Sequence, residues 1–125
     1  MNFIGTWEGT CKQFTKIGNN FKHSSAVWID CTKEGLIEEF INRVEIHTQE
    51  DGVLKATTIN LKNPKHDRNE MIGMISDAGK SATFVNYASV MEWKVIDKNT
   101  IETKGFNVEF KEFQILCHSI LKRIS

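Results

Sequence analysis

The chain opens with Met1-Asn2-Phe3-Ile4-Gly5-Thr6-Trp7. Phe3, Gly5 and Trp7 stand at every second position, so in an extended strand they share one face. The segments that follow keep that period. In Phe21 to Thr32, one face carries Phe21, His23, Ser25, Val27, Ile29 and Cys31. Lys22, Ser24, Ala26, Trp28, Asp30 and Thr32 form the other. Next, Leu36, Phe40, Asn42, Val44 and Ile46 oppose Glu39, Arg43, Glu45 and His47. Near the end, Phe113, Ile115, Cys117, Ser119 and Leu121 oppose Gln114, His118 and Lys122. Alternation of this kind marks half-buried strands. Leu36, Phe40 and Arg43 also fit helical spacing, but the alternation runs on to Ile46, which favours a strand.

Turn residues punctuate the chain at regular intervals: Lys16-Ile17-Gly18-Asn19-Asn20, Lys33-Glu34-Gly35, Gln49-Glu50-Asp51-Gly52, Asp77-Ala78-Gly79-Lys80 and Asp97-Lys98-Asn99. Asn63 to Asn69 is the longest loop and holds the one proline, Pro64. Further segments run over 53–62, 70–76, 81–89, 90–96 and 100–106. With Phe3 to Phe14 they make about nine strands in sequential order. A meander of that size closes most economically into a barrel, which removes exposed sheet edges. The expectation is therefore an all-β fold, a single up-and-down antiparallel β-barrel of roughly eight to ten strands. Its 125 residues form one domain, 1–125.

Composition narrows the function classes. Lys plus Arg and Asp plus Glu number 16 each, and the signs are interspersed. No basic field invites nucleic acid. Residues 1–7 lack a charged-then-apolar leader, and no apolar run approaches the ~20 residues of a membrane helix. The expectation is a cytoplasmic protein with no membrane association; the oligomeric state stays open. The three cysteines, Cys11, Cys31 and Cys117, have no metal-like spacing. They read as small buried hydrophobes. A Cys11–Cys117 pairing stays open, because first and last strands are neighbours in a closed barrel.

The Phe3-x-Gly5-x-Trp7 order at the head of a short all-β chain resembles the opening of the calycins, the lipocalins and fatty-acid-binding proteins among them. The resemblance implies a container whose floor is closed by Trp7, with Arg123 of the last strand packed over the indole. A flat ring plugging the barrel and a guanidinium stacked on it are sound chemistry. Two features depart from the fatty-acid-binding pattern. Residues 15–35 read as turn and strand where that family has a helix pair. Ser119-Ile120-Leu121 stands where it carries an Arg-x-Tyr pair. His118 falls on the polar face, away from the position of an interior haem ligand. Phe40-Ile41-Asn42-Arg43-Val44, followed by Glu50-Asp51-Gly52, resembles lipocalin-like proteins of cyanobacteria, some of which attach bilins.

Candidate ligand-binding residues follow from parity. His23 shares an apolar face with Ser25 and Val27, where burial would keep an imidazole neutral. Asn42 sits between Phe40 and Val44, and a buried amide needs partners. Met74, Tyr87 and Trp93 are large adaptable or aromatic groups able to line a cavity. No triad order, phosphate-cradling loop or metal motif is present, so no catalytic residue, metal or cofactor is assigned. The expected function is binding of a small, largely apolar or aromatic molecule inside the barrel. The alternatives are an isomerase, cyclase or bilin-lyase-like enzyme using the same cavity, and a filled barrel acting as a protein-interaction module.

Overall fold

The computed structural model describes residues 2–17, 36–87, 89–107 and 113–125. Their strands are β1 (Gly5–Ile17), β2 (Leu36–Glu50), β3 (Val53–Asn60), β4 (Arg68–Ser76), β5 (Ser81–Val85), β6 (Ser89–Asp97), β7 (Thr100–Asn107) and β8 (Phe113–Arg123). Each pairs antiparallel with the next, and β1 also pairs with β8, so the sheet closes into a barrel. The all-β meander expected from the alternation is what forms, and 36–43 is strand. The segment expected over 21–32 lies outside the described residues.

The turns show why consecutive strands pair. Asp51 and Gly52 both take left-handed backbone (φ 54 and 78), the two-residue turn that Asp-Gly favours between twisted strands. At the β4–β5 connection Asp77, Ala78 and Gly79 are all left-handed (φ 51, 53 and 86). At the β6–β7 turn, the Asp97 carboxylate accepts the Asn99 N–H at 2.8 Å. That bond holds its pKa below the usual carboxylate value. At β5–β6, the Asn86 side-chain oxygen accepts the Ser89 N–H at 2.8 Å and its hydroxyl at 2.9 Å.

The core fills one end of the barrel. Phe3, Trp7, Val44, Ile46, Leu54, Ala56, Met71, Ala82, Phe84, Trp93, Ile101 and Leu121 form one buried cluster. Trp93 meets Trp7 edge-on at 5.8 Å between ring centroids, and Phe3 at 6.3 Å. Two glycines make the closure possible. A Cβ at Gly9 would lie 1.9 Å from the Ile120 carbonyl oxygen, so β8 crosses β1 where no side chain could stand. A Cβ at Gly73 would lie 2.6 Å from the Phe84 ring, which occupies that space. Outside, the register partners Glu8 and Arg43 form an ion pair at 2.8 Å.

Candidate functional site

The floor is built at the start of β1 and the end of β8. The Trp7 indole N–H donates to the Phe3 carbonyl at 3.0 Å. The Arg123 guanidinium lies 4.2 Å over the Trp7 ring. Its two terminal nitrogens donate to the carbonyls of Ile4 at 2.6 Å and Asn2 at 2.7 Å. One side chain therefore caps the indole and ties the N-terminal segment across the barrel end.

Toward the other end the interior is hollow. A cavity of about 270 Å³ opens there, lined by residues of both apolar and polar character. Phe40, Val90, Met71 and Met91 supply apolar surface; Gln13, Asn42, Asn60, Thr103 and Ser119 supply carboxamides and hydroxyls. The period-two pattern explains the set. Gly9, Cys11 and Gln13 continue the inward face of Trp7 along β1, just as Phe40 and Asn42 continue that of Val44 along β2. Cross-strand register then stacks them in rows: Phe40 beside Cys11, Cys11 beside Ser119, Ser119 beside Thr103.

Two of these groups stand out. Thr103 and Ser119 are only 3% and 2% exposed, and both border the cavity. Each carries a hydroxyl on the cavity wall. The loop at the mouth is clamped by Asn60 and Asp67. The Asn60 N–H donates to the Asp67 carbonyl at 2.9 Å, and its amide to the Asp67 carboxylate at 3.0 Å.

The candidate residues named from sequence separate into groups. Phe40 and Asn42 border the cavity. Val44 points inward but belongs to the packed core beneath, so it is corrected to a core residue. Trp93 is likewise core, tilted against Phe84 at 5.1 Å. Its indole N–H is buried with no hydrogen-bond partner among the described residues. Met74 and Tyr87 are corrected outright, being 64% and 87% exposed. Met74 lies one residue beyond the inward-facing Gly73, so parity sends it out. Tyr87 sits in the β5–β6 turn, where alternation no longer governs orientation. His23, Ser25 and Val27 lie outside the described residues. Sequence reasoning missed Gln13, Thr103, Ser119 and the two thiols as cavity groups, although the parity of β1, β7 and β8 could have found them.

The described histidines do not converge. His118 faces outward and meets Glu102 at 3.0 Å. That bond, with Lys104 and Lys94 nearby, holds the Glu102 carboxyl below its usual pKa against the opposing effect of partial burial. His47 meets the Thr57 hydroxyl at 3.1 Å, again outside the barrel. His66 is exposed in the β3–β4 loop. Among the described residues no group of three or more His, Cys, Asp and Glu side chains is arranged to hold a metal. No described helix is long and apolar enough to cross a membrane.

The closed antiparallel meander decides the architecture. The fold is a closed up-and-down antiparallel β-barrel. No protein-family model matches the chain, and no curated protein is similar in sequence. Among solved structures, zebrafish ileal bile acid-binding protein complexed with cholic acid is similar, with a TM-score of 0.43 and 14% identity. The similarity spans 98% of this chain and 98% of that one.

Proposed function

We infer that the barrel holds one small organic molecule of mixed polar and apolar character in its interior. The observation that carries this is a cavity in the barrel interior lined by both apolar and polar side chains, with the buried residues Thr103 and Ser119 placing hydroxyls on its wall. A ligand carbonyl, hydroxyl or amide placed against these hydroxyls would gain about 0.5–1.5 kcal/mol for each hydrogen bond formed. The volume of about 270 Å³ lies just under the usual ~300–1,000 Å³ of small-molecule sites and suits a compact molecule. Phe40, Met71 and Met91 offer the apolar contact, and Asn42 a further donor and acceptor. Such a ligand pairs a largely apolar body with hydrogen-bonding groups that meet the polar side chains of the wall. A cavity of this size weighs against the filled-barrel reading.

The test is native mass spectrometry of the purified protein, followed by a binding panel of neutral heterocycles, hydroxylated rings and apolar dyes. One-to-one binding is expected. Thr103→Val should weaken a ligand bearing a polar inner end by about 1 kcal/mol, while leaving a purely apolar dye unaffected or tighter. Failure of every compound to saturate, with no co-purifying molecule, would refute the inference.

A further inference from the structure

The cavity holds two thiols on neighbouring strands, Cys11 of β1 and Cys117 of β8, neither in a disulfide. Their register is offset by two residues: Cys11 stands opposite Ser119, and Gln13 opposite Cys117. Both thiols therefore belong to one inward face and are diagonal neighbours. We propose that Cys11 and Cys117 form a two-thiolate site for a soft monovalent metal ion of the Cu(I) class, a property separate from organic-ligand binding.

The spacing is the first reason. Diagonal partners in an antiparallel pair lie about 7–8 Å apart at Cα. A disulfide reaches only to about 6.8 Å. A bridging ion extends that reach. Two metal–sulfur bonds of ~2.3 Å hold the sulfurs up to about 4.6 Å apart, against ~2.05 Å in a disulfide. The diagonal suits the longer bridge, and the inward curvature of a barrel wall brings the side chains closer still.

The surroundings are the second reason. A monovalent ion on two thiolates carries one negative charge, so its sulfurs need donors. The Gln13 amide already lies 3.6 Å from the Cys117 sulfur. The Ser119 hydroxyl lies beside both cysteines, as the register partner of Cys11 and two residues beyond Cys117 on the same face. Ser119 is itself a buried residue on the cavity wall. Gly105 leaves a gap next to Cys117, and on its far side stands Met91, whose thioether is a further soft ligand type. Thiolate and thioether sulfur together select Cu(I) over hard cations. On binding, each S–H bond breaks as a metal–sulfur bond forms, so two protons leave to solvent for every ion bound. No electron is transferred.

The experiment uses reduced, anaerobic Cys31→Ser protein, which keeps only the two cavity thiols. Ag(I) serves as a redox-inert probe, and Cu(I) is delivered from a competing chelator. One ion per chain is expected, with release of two protons measured by pH-stat. Cys11→Ser or Cys117→Ser on that background should abolish the stoichiometric site, and Gln13→Leu should weaken it by about 10-fold. In the unsubstituted protein, one equivalent of Ag(I) should shield Cys11 and Cys117 together from iodoacetamide, mapped by peptide mass spectrometry; this arm needs no variant to fold. Absence of one-to-one binding by the Cys31→Ser protein would overturn the proposal. So would equal affinity in a single-cysteine variant, or shielding of only one of the two thiols.

Discussion

Removing the floor should cost more than any other single truncation in this barrel. Trp7 is fully buried, and its indole edge meets Trp93 while its face lies under Arg123. In Trp7→Ala, loss of a large core side chain with incomplete collapse costs about 3–5 kcal/mol. The N–H bond to the Phe3 carbonyl goes as well, leaving that buried acceptor unpaired for roughly another 1 kcal/mol. Arg123 loses its aromatic partner, worth about 0.5–1 kcal/mol at a partly exposed site. The sum, about 4.5–7 kcal/mol, approaches the whole stability of a small domain. Trp7→Phe keeps a ring but not the donor, so it should fall between wild type and Ala, near 2 kcal/mol. Equilibrium unfolding in urea, with the slope m compared between variants, measures both. A loss below about 1 kcal/mol for Trp7→Ala, or equal losses for Ala and Phe, would refute the account of the floor.

Gly9→Ala should force β8 away from β1, because the new Cβ meets backbone rather than a mobile side chain; a loss above about 2 kcal/mol or insoluble expression is expected, and wild-type urea stability would disprove the close crossing. Ala78→Gly should stabilise the barrel by about 0.5–1 kcal/mol, since Ala78 holds a left-handed backbone (φ 53) that glycine adopts without strain. A lowered Tm would count against that turn geometry. Glu102 has a folded pKa depressed chiefly by His118, so its contribution is present above the ordinary value of 4.5 and is lost as pH falls through the lower folded value. Glu102→Gln should therefore flatten the acid limb of stability by up to about 1 kcal/mol and change little near pH 7 beyond that same loss. An acid limb of unchanged steepness would show that the His118 pairing contributes nothing.

The fold was legible in the chain because strand alternation is a local property. A period of two tells which side chains share a face, and short turns such as Asp51-Gly52 can only join antiparallel neighbours. Those facts led to a meander and an inward Phe40–Asn42 face; the floor at Trp7 was what the resemblance of the Phe3-x-Gly5-x-Trp7 order implied. The site was only partly legible. Parity says that Val44 and Asn42 point inward together, but not where the packed core stops and the hollow begins. That boundary depends on how far Trp7, Trp93, Phe3 and Phe84 fill the lumen, and these come from β1, β5, β6 and the segment before β1. Tyr87 shows the converse: a large aromatic residue in a turn is free of the strand period, and it ends up in solvent. The meeting of Cys11 with Cys117 across 105 intervening residues depends on the register of β1 against β8. Register between first and last strands is decided only when the barrel closes. The side chains one strand presents to the lumen are a matter of local sequence; which of them become neighbours is decided by closure.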